Sequence, residues 1–129
     1  MKVTSSFGMR IHPLSGRVNF HNGIDLAAAH DLVFNIFNGT VLEVSYSLFF
    51  GNYIRISYQN LVCSYGHLSR VLVSKGQHVF GGQIIGISGN SGRVTGPHLH
   101  LSIALNGVYI NPLQFLLQST RQPAYAQSY

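Results

Sequence analysis

Six short runs rich in β-branched and aromatic residues, LVFNIF, TVLEVSY, YIRISYQ, LVCSYGHL, IIGISG and HLHLSIAL, recur along the 129-residue chain between glycine and asparagine punctuation. This pattern predicts an all-β fold of antiparallel sheets. The dipeptides Asn38-Gly39, Gly51-Asn52 and Asn106-Gly107 are expected to join neighbouring strands, because Gly and Asn enter the positive-φ region that tight turns require. Only NPLQFLLQ, Asn111 to Gln118, reads as a helix: Asn111 can cap it, Pro112 suits its first turn, and Leu113, Leu116 and Leu117 share helical spacing. Beyond it STRQPAYAQSY has no apolar periodicity and reads as a mobile tail over 119–129, leaving one domain over 1–118.

Composition narrows the partners. Charged residues are only 9% of the chain, against roughly 25% in an average soluble domain, and the net charge is +5. That sign favours acidic partners: nucleic acid, an anionic envelope polymer or a membrane surface. The basic residues are scattered and do not interleave with aromatics, so nucleic-acid binding is not supported. No apolar run reaches the ~18 residues of a bilayer span. Met1 to Arg10 carries no export signal, which points to an intracellular chain or a trimmed part of an exported protein. A single cysteine, Cys63, allows no internal disulfide.

Two histidine motifs carry the chemistry. In HLHLS an extended backbone sends His98, His100 and Ser102 to one face and Leu99 and Leu101 to the core, with the imidazoles about 7 Å apart at ~3.3 Å per residue. In HNGIDLA an extended backbone places His21, Gly23 and Asp25 on one face, and Gly23 is expected to leave open volume beside a bound ion. Imidazole and carboxylate together suit Zn²⁺. The chain has only three acids, Asp25, Asp31 and Glu43, so a glycosidase with paired carboxylates has no recognisable motif, and no H-E-x-x-H is present. His67 in YGHLS closes an apolar strand before an expected turn and is a candidate for transition-state stabilisation. His12, His30 and His78 read as ordinary surface residues. Cys63 with His67 offers an alternative thiol site, sensitive to thiol reagents and indifferent to chelators, although a buried inert thiol is the commoner state.

These residues resemble the lysostaphin-type zinc metallopeptidases of bacterial peptidoglycan. The similarity runs from about Ser6 to Leu116 through SFGMRIHPLSG, HNGIDLA, NGTV, YGHLS, GQHVFGGQIIGISGNSGRVTGPHLH and NGVYINPLQF. It implies that His21, Asp25 and His100 are the zinc ligands and that His67 and His98 are the catalytic pair. It also implies peptidoglycan peptides as the substrate, held in a groove between β-sheets, and a site of action outside the cytoplasm. The export route would then be a missing N-terminal region or a secretion, conjugation or phage apparatus. GISGNSGRVTGPHLH lacks the G-K-[ST] of a phosphate loop and is expected to form turns and one rim of the groove. Many members carry Phe and Glu after H-L-H, where this chain has Leu101 and Ser102, so a carboxylate that could orient an imidazole is replaced by a hydroxyl. The competing reading is a wall-binding or regulatory module that keeps the fold without turnover. Substrate choice is expected to lie in loops such as Ser45 to Asn52.

Overall fold

The computed structural model describes residues 2–11, 16–92 and 96–121. Their strands are β1 (Lys2–Ser5), β2 (Gly8–Ile11), β3 (Val18–His21), β4 (Ile24–Ala27), β5 (Leu32–Phe34), β6 (Gly39–Ser47), β7 (Gly51–Tyr58), β8 (Leu61–Val71), β9 (His78–Val79), β10 (Ile84–Ser88), β11 (His98–Leu105) and β12 (Val108–Ile110), followed by helix α1 (Pro112–Arg121). The principal sheet runs β1-β4-β11-β8-β7-β6-β9, with β12 on β11 and β10 bridging β8 to β5; β2 and β3 form a separate two-stranded sheet. Strands β6, β7, β8 and β11 supply the broad floor on which the site is built.

Period-two alternation sorts that floor into two faces. Ile54 and Ile56 of β7, Leu61, Cys63 and Tyr65 of β8, and Leu99, Leu101 and Ile103 of β11 all enter the core. Burying each large aliphatic side chain stabilises the fold by ~1.5–3 kcal/mol. Tyr65 brings a hydroxyl into this core, where it donates to Asn35 Oδ1 at 3.0 Å and accepts from the Ile36 N–H at 3.0 Å. The Asn35 amide in turn donates to the Phe37 carbonyl at 2.6 Å, so the buried polar groups are satisfied.

Three turn expectations fare differently. Asn106 and Gly107, at φ 51° and 80°, form the two-residue turn between paired β11 and β12. Gly51, at φ 61°, closes the β6–β7 turn over Leu48–Phe50. Asn38-Gly39 does not join paired strands, because β5 pairs with β10 while β6 pairs with β7 and β9. A Cβ on Gly39 would lie 2.4 Å from the Ser57 carbonyl oxygen, so close strand approach explains that glycine.

The helix also departs in part from expectation. Asn111 caps it, its Oδ1 accepting from the Leu113 N–H at 3.0 Å. Phe115 is the side chain that packs on the core, while Leu113 and Leu117 are exposed. The helix continues to Arg121, three residues past the expected end. His12 and the remainder of the expected tail, 122–129, lie outside the described residues. His30 and His78 are exposed, as expected.

Candidate metal centre and cleft

On the face of β11 opposite the core stand His98, His100 and Ser102. The pairing of β11 with β4 sets His100 directly across from Asp25. His100 Nδ1 lies 2.9 Å from Asp25 Oδ1, and His21 Nε2 approaches the same oxygen at 3.5 Å. The Nδ1 of His21 is 3.0 Å from the Ser6 carbonyl oxygen; donating there leaves Nε2 with its lone pair. One ligand atom from each of His21, Asp25 and His100 falls within 4.8 Å of the others. Burial alone would raise the Asp25 carboxyl, but hydrogen bonds and charge from His100 and His21 outweigh it and hold the group well below the ordinary carboxylate range. Two imidazoles and one ionised carboxylate, sequestered together, are a donor set that fits a borderline divalent cation.

His21 and Asp25 reach this cluster by a route other than one continuous strand. His21 ends β3 in the two-stranded sheet, a bend follows at residues 22–23, and Asp25 belongs to β4 of the principal sheet. Gly23 does not provide space for an ion, contrary to expectation. Its missing Cβ would lie 2.2 Å from the Leu101 carbonyl oxygen and 3.0 Å from Ser102 Cβ, so the glycine lets the bend press against β11. Gly23→Ala is therefore expected to destabilise the fold by ~1–3 kcal/mol and to disturb the flanking side chains of His21 and Asp25, seen as a lower melting temperature together with reduced metal stoichiometry.

His67 lies within β8, not at its end. The strand continues to Val71, and its partner changes at this residue: 61–66 pair with β11, whereas 68–71 pair with β10. His67 has φ 61°, a left-handed conformation that costs a non-glycine residue ~1–2 kcal/mol. Its N–H donates to the Phe50 carbonyl at 2.6 Å and its own carbonyl accepts from Gly89 at 2.9 Å, which holds the strained backbone. The side chain is buried, with its ring centroid 6.1 Å from that of His100. His67 Nδ1 is 2.8 Å from the Ser91 carbonyl oxygen, and His98 Nδ1 is 2.8 Å from the Gly96 carbonyl oxygen. Each ring thus donates Nδ1–H to backbone and keeps Nε2 as its acceptor. Burial, then the neighbouring His100, depresses the His67 pKa below the ordinary imidazole value against the opposing pull of the Ser91 carbonyl.

A cleft of about 380 Å³ opens beside His100. Its apolar wall is the β6–β7 turn: Phe50 stacks at 5.0 Å from the His100 ring and 6.4 Å from the His67 ring. Sequence reasoning placed specificity in this loop but did not single out Phe50. The signal was available, because the apolar triplet Leu48-Phe49-Phe50 at a hairpin tip has no core to enter. The glycine-rich segment before β11 supplies Ser91 to orient His67; residues 93–95 lie outside the described residues. Ser102 is buried and lines the cleft, and its hydroxyl makes no hydrogen bond to an imidazole among the described residues. Cys63 is fully buried, with its thiol pushed up to about 12 by burial against a weaker lowering contact from Tyr65. A thiol reagent is therefore expected to leave the native protein unlabelled and its activity unchanged, measured by intact mass and turnover.

The model of peptidase family M23 matches residues 19–112. Peptidoglycan DD-endopeptidase ShyC of Vibrio cholerae is 41% identical over 114 residues, spanning 86% of this chain and 26% of that protein. The chain thus spans about a quarter of the length of the curated relatives it matches. A zinc-containing peptidase from Vibrio cholerae has a solved structure that superposes with a TM-score of 0.79 at 37% identity, covering 85% of this chain and 35% of the other. The catalytic domain of lysostaphin from Staphylococcus simulans superposes with a TM-score of 0.81 at 31% identity, covering 90% of this chain and 92% of that domain.

Proposed function

This chain belongs to peptidase family M23, and from that premise we propose that it is a zinc-dependent endopeptidase hydrolysing peptide bonds of bacterial peptidoglycan outside the cytoplasm. The observation that carries the reading is the convergence of His21, Asp25 and His100 within 4.8 Å beside two further histidines with fixed tautomers. His21, Asp25 and His100 would hold the ion. A bound Zn²⁺ supplies Lewis acidity toward a peptide carbonyl and toward water. The names of the similar Vibrio cholerae proteins support both the metal and the substrate class.

The chain's own residues account for the proton traffic. As water oxygen attacks the carbonyl carbon, an Nε2 lone pair of His98 or His67 takes the released proton. The imidazolium so formed carries the proton on Nε2 and stabilises the oxyanion. When the C–N bond breaks, that proton passes to the leaving amine, which restores the neutral imidazole. The carbonyl oxygens of Ser91 and Gly96 hold both rings in the tautomer this requires. All five positions of the proposed site are filled, and nothing observed favours a module without turnover. The net charge of +5 would assist association with acidic wall polymers.

The test uses purified cell walls and the zinc-loaded protein. New free amino termini should appear, disappear with a chelator, and return when zinc is restored. Stoichiometric zinc binding with no new amino termini would overturn the proposal.

A further inference from the structure

Beyond the histidines, one row of polar side chains crosses the floor of the cleft. Strand register sets Glu43 of β6 opposite Arg55 of β7, Arg55 opposite Ser64 of β8, and Ser64 opposite Ser102 of β11. All four line the same cleft as His100. At ~4.8 Å per strand the row extends about 14 Å from Ser102 to Glu43, the reach of roughly four residues of extended peptide.

The two ends of this row differ. Ser102 is 4% exposed, and its hydroxyl has no hydrogen-bond partner among the described residues. A buried hydroxyl left without a partner is costly, so a ligand amide that engages it gains more than one engaging a solvated group. At the open end Glu43 and Arg55 make a loose contact at 3.5 Å, with side chains 40% and 41% exposed. Such a pair contributes little to the fold. It keeps carboxylate acceptors and guanidinium donors available to a ligand.

Charge is scarce enough to make the pair informative. Of the three acids, Asp25 sits among the ligands, Asp31 accepts from the Ala29 N–H at 3.2 Å, and Glu43 alone lines the cleft. A ligand group with a single charge would be attracted by one member of the pair and repelled by the other. A group with both charges satisfies both, its ammonium toward Glu43 and its carboxylate on the forked donors of Arg55. The wall of Phe50 and Tyr53 limits solvent on one side and strengthens that discrimination.

We propose that Glu43 and Arg55 recognise a zwitterionic group of the substrate, one carbon bearing both an ammonium and a carboxylate, at the far end of the row that starts from Ser102. This deepens the peptidase reading and rests on it. The group is the free amino-acid end of a branched peptide, remote from the bond that is cut.

Three fluorescent peptides identical except at that end test the proposal: one zwitterionic, one with the carboxylate amidated, one with the amine acetylated. Binding is measured by anisotropy with zinc-loaded His98→Ala protein, which keeps the peptides intact, and cleavage is measured with the unsubstituted protein. Each blocked peptide should bind about tenfold more weakly than the zwitterion. Arg55→Gln should remove the penalty of amidation, and Glu43→Gln that of acetylation, with melting temperatures near the parent's. Equal binding of all three peptides by the parent would overturn the proposal without recourse to any variant. Equal binding with brisk cleavage would leave the peptidase reading standing and remove the subsite. Selective binding with no cleavage by the unsubstituted protein would do the reverse.

Discussion

Replacing His98 with alanine is expected to slow hydrolysis of wall peptides by about 10²–10⁴-fold while zinc content and melting temperature stay near those of the parent. The expectation follows from position. His98 is half-buried, lies on the same face of β11 as His100, and spends its Nδ1–H on the Gly96 carbonyl, so its loss deletes an acceptor without removing a ligand. Its partner requires a different substitution, because His67 occupies a left-handed conformation that alanine adopts poorly. His67→Asn keeps a residue that tolerates φ 61° and should cause a loss of similar size. The pH profile supplies the sign. Burial depresses the His67 pKa, so the neutral, proton-accepting ring persists below the ordinary imidazole value near 6.5. A bound dication would act in the same direction. With His67 as the proton acceptor, activity should therefore fall on the acid side at a pH below that value. A His98→Ala enzyme within about threefold of the parent rate would remove His98 from the proton-transfer step.

Asp25→Asn should lower zinc affinity by more than about 100-fold, beyond the 10–100-fold typical of losing only an orienting partner. The amide is neutral and keeps one acceptor, whereas the carboxylate it replaces is held ionised between two imidazoles, with His100 Nδ1 at 2.9 Å and His21 Nε2 at 3.5 Å. Competition with a chromophoric chelator measures the change, and hydrolysis at limiting zinc should fall in parallel. Excess zinc should recover part of the rate. Unchanged affinity would place the ion elsewhere.

The histidine face of β11 was legible because strand alternation is a local rule: Leu99 and Leu101 are both buried in the core, as the run HLHLS implies. The structure brings His21 and Asp25 together, but by a different route from the one their spacing implies. Their spacing suggested one strand, while the chain bends at residues 22–23 and two different sheets deliver the pair. Gly23 could not be interpreted from sequence, because the atom it would strike belongs to Leu101, far along the chain. The same holds for His67. Its strained backbone and the exchange of strand partners depend on Phe50, Gly89 and Ser91, and two of its anchors are backbone carbonyls that carry no residue signature. The row from Ser102 to Glu43 was equally hidden, since register across four strands is a property of pairing rather than of any one segment.

The division of the His21, Asp25 and His100 cluster between two sheets has a mechanical consequence. No backbone ladder joins the β2–β3 ribbon to the principal sheet among the described residues, yet that ribbon carries His21. An ion held by His21, Asp25 and His100 would rivet the ribbon to the larger sheet and tie the amino-terminal part of the chain to strand β11, far along the sequence. Occupancy of the site would then set how tightly one edge of the molecule is fastened. The ribbon would unzip first as metal is withdrawn, while the core of β7, β8 and β11 remained closed.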